Sequence, residues 1–147
     1  MNLNFQQLKT TQLTCVEKIH THEAQVTDAP SILKVLEQVM LQVEYHCFAD
    51  LRFKHIDPLY KELCLIIAEV LILDKDSFIK INSSIIPVSL VQEIYLQIRN
   101  DHLRIVFSNF QNVSHRIYNK KFYLRTALYN AVFEIESHFV NDMNMIV

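Results

Sequence analysis

The chain has 147 residues, of which half are apolar and a fifth are charged, and its formal net charge is −2. This composition excludes an intrinsically disordered chain, which needs low hydrophobicity and a large charge imbalance, and the length suits one domain with its own core. The longest apolar stretch, residues 63–73, is interrupted by Glu69 and is much shorter than the roughly 20 residues of a membrane span. The amino terminus lacks a basic segment followed by an apolar one, so we expect no signal peptide and a cytoplasmic protein.

The chain contains no glycine. Glycine-rich phosphate-binding loops of the Walker and Rossmann types are therefore excluded, and type I′ hairpin turns, which favour glycine, are less favourable. Helices can instead end on asparagine in the left-handed capping conformation. We expect Asn100, Asn112 and Asn130 to act in this way, because each stands where a helical pattern ends or pauses.

The first third of the chain divides into a polar arm and the start of a helical domain. Residues 1–28 are rich in threonine and glutamine with scattered apolar residues, so we predict a loosely packed arm, followed by a single helical domain over residues 29–147. Asp28 can cap a first helix, and Pro30 is tolerated in its first turn. Apolar residues at helical spacing then predict a helix that runs to about Phe53.

The middle of the chain predicts a central helix and a short extended segment. Asp57 and Pro58 give a capping carboxylate followed by a proline at the first helical position. The helix that follows is apolar on so many sides that its neighbours should cover it. The alternating, β-branched residues 78–86 then predict either a short β-hairpin or irregular extended chain, since a lone two-stranded hairpin is marginal.

The last part of the chain predicts three further helices. Pro87 opens the first, the Asn100-Asp101 pair ends it and starts the second, and the third begins at about Asn119. The predicted fold class is all-α, a compact bundle of five to six helices, in which residues 78–86 form either one short β-hairpin or irregular extended chain. Cys47 and Cys64 fall inside apolar helical patterns, so we expect free, buried cysteines and no disulfide framework.

The order of features from Ile79 onward resembles a known family. An extended IKIN segment is followed by a proline-started helix, then by DHLRIVFSNF around His102, and then by RIYNKKFYLRTALYNA, whose final phrase covers residues 123–131. This order resembles the C-terminal helical domain of the replication initiator A family, from plasmids and conjugative elements of low-GC Gram-positive bacteria. The resemblance covers residues 56–142 and implies a helical accessory domain of mobile-element origin, with no known reaction.

Two features depart from that family's pattern. Its members carry an N-terminal winged-helix DNA-binding region, for which this chain has no room, so origin binding is not carried over. They also tend to have a proline after the YNA phrase, where this chain has Val132. We therefore expect the last helix to run on unbroken.

Positive charge is concentrated in residues 99–125. This stretch carries a net charge of +5, whereas the preceding residues carry −4 and the following ones −3. A basic patch of this kind can bind an acidic protein surface or phosphates, and the alternative is a solvated helix face beside an acidic neighbour. Six positive charges on a protein with an isoelectric point of 6.4 are a weak signature of nucleic-acid binding.

Aromatic residues are interleaved with these charges. On a continuous helix, Arg116 would stack with Lys120, and Lys121 with Arg125, because each pair is four residues apart. An exposed aromatic side chain beside arginine is a frequent interface anchor. The predicted partner-binding residues are Arg99, Arg104, Arg116, Lys120, Lys121, Phe122 and Arg125, interleaved with the aromatic residues Tyr118 and Tyr123.

No motif in the sequence indicates catalysis, a cofactor or a structural metal. There is no Gly-x-Ser-x-Gly elbow, no His-x₃-His pair and no Cys-x₂-Cys pair. His20 and His22 with Glu23 offer at most an adventitious zinc site. We therefore predict a protein that is not an enzyme and has no catalytic, cofactor-binding or metal-binding residues.

The sequence leaves two main functions open. The first is a non-catalytic mobile-element protein that binds a protein partner, for example an inhibitor of a host defence nuclease of the anti-CRISPR type. The second is an accessory factor in plasmid replication, which contacts DNA or the replication initiator through residues 99–125. A homodimerisation module is a third option, and no membrane association is expected.

Overall fold

The computed structural model describes residues 31–50 and 55–145, and most of these residues are helical. The predicted helical class is confirmed, with five α-helices in these residues and short strands between them. None of the helices in the described ranges is long and apolar enough to cross a membrane. The helices are α1 (Ile32–Gln42), α2 (Pro58–Leu71), α3 (Val88–Tyr95), α4 (Asn100–Gln111) and α5 (Lys120–Met145), and the strands are β1 (Ala49–Asp50), β2 (His55–Ile56), β3 (Phe78–Ile81) and β4 (Ser84–Pro87).

Helix α1 ends earlier than the apolar pattern predicts. Instead of running to Phe53, it stops at Gln42, and Glu44 takes a left-handed backbone conformation with φ of 52°. A 3₁₀ turn follows, and β1 then pairs antiparallel with β2. Cys47 lies in that turn and is exposed, so its predicted burial was wrong. The predicted start at Asp28 and Pro30, and the arm over residues 1–28, lie outside the described residues.

Helix α2 is the central helix, as its apolar pattern predicts. The Asp57 carboxylate accepts a hydrogen bond from the Leu59 N–H at 2.9 Å, and Pro58 occupies the first helical position. Half of the residues of this helix are buried, and Leu63, Cys64 and Ile67 are fully buried. It contacts each of the other four α-helices, so it forms the centre around which they pack.

Strands β3 and β4 form the predicted hairpin, not irregular chain. Ile79 pairs with Ile86, and Ile81 pairs with Ser84 across a two-residue turn. Asn82 supplies the left-handed conformation of that turn, with φ of 55°, which asparagine tolerates better than most residues. The turn is tied to α5, because the side-chain amides of Asn82 and Asn130 exchange two hydrogen bonds of 3.3 Å.

The expected asparagine caps of helices are wrong. Asn112 follows α4 with φ of −95°, and Asn130 lies inside α5. Glutamine side chains from neighbouring helices bind the terminal carbonyls instead. The Gln92 amide donates to the carbonyls that end α2, and the Gln42 amide donates to those that end α3, at 2.8–3.1 Å.

A single apolar cluster joins the helices and the β3–β4 hairpin. Tyr95 is fully buried in it and donates its hydroxyl hydrogen to the Arg125 carbonyl oxygen at 2.6 Å. Val132 is also buried, and α5 continues past it to Met145, so the predicted unbroken final helix is confirmed. This packing fixes the long helix whose first half carries the candidate site.

Candidate functional site: a cleft beside the last helix

A loop over residues 112–119 separates α4 from α5. Helix α5 begins at Lys120 because the Asn119 side-chain oxygen accepts a hydrogen bond from the Phe122 N–H at 3.0 Å, which is an N-cap. The start predicted at about Asn119 is confirmed. Arg116 therefore lies in the loop, and its predicted helical stacking on Lys120 is wrong.

The loop and one face of α5 enclose a cleft of about 460 Å³. The cleft has an apolar part, which includes Ile117, Phe122 and Ala127, and it is open to solvent on one side. Its remaining lining is mostly amide, hydroxyl and charged side chains. The complete lining consists of Asn109, His115, Arg116, Ile117, Tyr118, Asn119, Phe122, Tyr123, Thr126, Ala127, Asn130 and Glu134.

An arginine and an exposed aromatic ring lie together at the cleft. The Arg116 guanidinium is 5.3 Å from the centroid of the Tyr118 ring, within the range of a cation–π interaction. Tyr118 is 89% exposed, the largest exposed fraction among the exposed apolar and aromatic side chains in the described ranges. Arg116 has no carboxylate partner among the residues that the structure describes.

The two lysines at the start of α5 are paired with glutamates of α2. The Lys120 ammonium is 2.6 Å from the Glu62 carboxylate, and the Lys121 ammonium is 2.5 Å from that of Glu69. Lys120 also lies 5.6 Å from the centre of the Phe110 ring. The basic stretch of the sequence is therefore partly neutralised by an acidic neighbour, helix α2.

The other predicted arginines make intramolecular contacts at different places. Arg99 donates to the Leu96 and Ile98 carbonyls at 2.8 and 3.0 Å, beyond the end of α3. Arg104 donates to the Asn100 side chain one turn earlier on α4, at 2.6 Å. Both guanidinium groups thus hold local structure.

Arg125 belongs to a second cleft on α5. Its side-chain Nε is buried and has no hydrogen-bond acceptor in the described part of the chain. Lys121 and Arg125 line this cleft of about 430 Å³ with residues at the end of α2 and in the turn after it, among them Glu69 and Asp74. The predicted shared face of Lys121 and Arg125 on a helix is confirmed.

The structure brings together only part of the predicted site. Arg116 and Phe122 line the first cleft, Lys121 and Arg125 line the second, and the remaining predicted residues line neither. The aromatic residues Tyr118 and Tyr123, noted as interleaved in the sequence, line the first cleft. Sequence reasoning missed the amides, Thr126 and Glu134, since no motif connects them. The only available signal was the helical spacing of residues 119, 123, 126, 130 and 134 along one face.

Several ionisable groups outside the clefts have pKa values that burial raises. Burial raises the pKa of the Cys64 thiol to about 12, which keeps it protonated at neutral pH. Burial also raises the pKa of the Tyr60 hydroxyl, whose ring stacks on Phe107 at 4.5 Å. Within the described ranges there is no group of three histidine, cysteine, aspartate or glutamate side chains placed to hold a metal ion. His20, His22 and Glu23 lie outside these ranges.

Comparison with known proteins identifies a family for this chain. Neither the curated proteins nor the solved structures contain a significant match to this chain. One family model matches residues 7–146, which is nearly the whole sequence. The chain therefore belongs to the family described as a family of unknown function, DUF6017.

Proposed function

We propose that the chain is a non-catalytic protein of a mobile genetic element and acts by binding a protein partner at the cleft beside α5. The observation that carries this proposal is the exposed Tyr118 ring beside Arg116, over an apolar cleft that includes Phe122. Exposed tyrosine and arginine at a concave apolar surface are the residue types that dominate protein interfaces.

The charges around α5 favour a protein over a nucleic acid as the partner. Binding of duplex DNA depends on many cations that face the phosphates. Here Lys120 and Lys121 are paired with carboxylates, and Glu134 places a further negative charge in the cleft itself. A mixed surface of this kind fits the polar and apolar groups of a protein better than a row of phosphates.

The mobile-element origin rests on the resemblance to the replication initiator A family. The proposed partner is a protein of the host or of the element, in the cytoplasm. Inhibition of a host defence nuclease, in the manner of an anti-CRISPR protein, is the version that we would test first. An accessory role in replication, through DNA or the initiator, is the competing outcome.

A photo-crosslinking experiment tests the proposal. The amino acid p-benzoylphenylalanine replaces Tyr118 or, as a control, the exposed Leu33 on α1, and crosslinks are formed in cells of the natural host. We expect position 118 to capture a defined protein that position 33 does not. That protein, once purified, should bind the chain in calorimetry, with at least a tenfold loss of affinity for the Tyr118→Ala/Phe122→Ala variant.

Two results would overturn the proposal. One is a crosslink from position 118 only to a second copy of this chain, which would indicate a homodimer. The other is salt-sensitive retardation of duplex DNA that is abolished by Lys120→Ala, Lys121→Ala and Arg125→Ala together, without a crosslinked protein. The second result would favour the replication role.

A further inference from the structure

The cleft beside α5 has a definite charge pattern. Lys120 and Lys121 are held in ion pairs with α2, whereas the Arg116 guanidinium lies 5.3 Å from the centre of the Tyr118 ring and forms no ion pair within the described residues. His115 lies beside Arg116 in the same lining. The amino-terminal end of α5, with its partial positive charge, begins four residues after Arg116. This part of the cleft therefore favours a negatively charged group.

The opposite charge lies farther along the same helix. Glu134 lines the cleft and is exposed, fifteen residues after Asn119 on one continuous helical path. At a rise of about 1.5 Å per residue, the cleft thus extends for roughly 22 Å along α5. A guanidinium lies near one end and a carboxylate near the other, with aromatic and small apolar side chains between them.

The size of the cleft limits what it can hold. A volume of about 460 Å³ is that of a small-ligand pocket and suits one or two large side chains, not a whole helix. The amide side chains of Asn109, Asn119 and Asn130 lie beside the apolar part; Asn119 and Asn130 each make internal hydrogen bonds and keep further donor and acceptor positions. Such groups can bind the backbone of an extended peptide, which would span the cleft with about six residues.

We propose that the occupant is a short extended segment of the protein partner, in which an aspartate or glutamate flanks an aromatic or large aliphatic anchor. The anchor lies between Tyr118 and Phe122, and the acidic group forms a charge-assisted pair with the Arg116 guanidinium. Charge complementarity carries this choice, and the inference rests on the proposed protein-binding function.

Three fluorescein-labelled pools of 12-residue peptides provide the probe. Each pool has Phe, Leu, Met or Tyr at two central positions. Acidic, serine or basic residues flank the centre on one side only, either amino-terminal or carboxy-terminal to it, and serine fills the other side, because Glu134 would repel a second acidic flank. Fluorescence anisotropy with the full chain should give binding for the acidic pool at least tenfold tighter than for the basic pool. The serine pool should lie between them.

Charge reversal makes the test specific for one residue. We expect Arg116→Glu to weaken binding of the acidic pool at least tenfold and to make the basic pool the better ligand. Lys34→Glu, an exposed change of the same sign and size on α1, should leave the order of the pools unchanged. Tyr118→Ser should weaken binding of all three pools, because it removes part of the anchor site.

The outcomes separate this inference from the proposed function. Equal binding of the three pools, or an unchanged order of the pools in Arg116→Glu, would overturn the inference. A protein crosslinked at position 118 would in that case still support the proposed function. If no pool binds and position 118 captures no protein, both fail. The inference would also be overturned if Arg116→Glu lowered the affinity for a duplex DNA probe more than it lowered the affinity for the acidic pool.

Discussion

At the scale of single residues, His102 is a buried base in the first turn of α4. Its Nδ1 accepts a hydrogen bond from the Arg99 N–H at 2.8 Å, so the neutral imidazole caps the start of the helix. Burial lowers the pKa of this imidazole below its usual value of 6.5, although the carboxylates of Asp101 and Glu136 oppose the shift. Folding therefore favours the unprotonated side chain.

This shift predicts an acid-sensitive contribution to stability. Because the unfolded chain takes up the proton more readily, the contribution is fully present above about pH 6.5 and is lost as the pH falls through the lower folded-state pKa. In His102→Asn, the amide oxygen can still accept the Arg99 hydrogen bond but cannot titrate. We expect the wild-type advantage in free energy of unfolding, measured with urea, to shrink between about pH 7.5 and about pH 5.

The exposed His115 gives a matched control for that measurement. His115→Asn should lose stability with falling pH in parallel with the wild type. If the wild type and His102→Asn also follow parallel curves, the titration of His102 does not contribute to acid sensitivity.

At the scale of elements, the ends of α2 and α3 show how helices end in a chain without glycine. The Gln92 amide lies within 2.8–3.3 Å of the carbonyls of Val70, Leu71 and Leu73, after which the chain turns towards β3. Helix C-termini leave carbonyls without intrahelical partners, and a side chain from another helix satisfies them here. The same contact fixes α3 against the end of α2.

Removal of this amide should destabilise the fold. We expect Gln92→Ala to lower the free energy of unfolding by about 1–3 kcal/mol, because part-buried carbonyls lose their donor. Gln97→Ala is the control, since the Gln97 amide is exposed and makes only a 3.5 Å contact with Glu93; its effect should stay within about 0.5 kcal/mol. Chemical denaturation measures both, and equal effects would contradict the capping role of Gln92.

The sequence predicted those elements whose signals are local. Asp57 with Pro58, and Asn119, mark helix starts through contacts with residues two or three positions away, so they can be read without the fold. The end of α1 could not be read in this way, because Val43 continues the apolar spacing while Glu44 turns the backbone. Gln42 caps a helix more than fifty residues later, which no local pattern reveals.

Contacts between residues far apart in the chain likewise limit how much of the site can be predicted from the sequence. The net charge of residues 99–125 is visible in the sequence, but the glutamate that pairs with Lys120 lies 58 residues earlier. Arg116 and Phe122 both belong to the predicted partner-binding set, and both line the first cleft, but no local pattern in the sequence places them side by side. The cleft itself depends on how the loop before α5 folds against that helix.

At the scale of the whole molecule, the pairing of α5 with α2 decides how basic the surface is. The side chains of Lys120 and Lys121 are about half exposed, and those of their glutamate partners are about one third exposed. Solvent therefore screens both ion pairs. Exposed pairs of this kind contribute about 0–1 kcal/mol each to stability. Their main effect is therefore on the electrostatic potential outside the protein.

Neutralisation of Glu62 and Glu69 should therefore produce a gain of DNA binding. We expect Glu62→Gln/Glu69→Gln to retain the wild-type fold and to bind duplex DNA more tightly at low salt. Two freed lysines should steepen the dependence of log affinity on log salt concentration by about 1.8. Glu37→Gln/Glu93→Gln changes the net charge equally at exposed positions on α1 and α3, so it separates local pairing from total charge. Equal gains in the two double variants, measured by fluorescence anisotropy across a salt series, would show that net charge and not the α2–α5 pairs limits binding to phosphates.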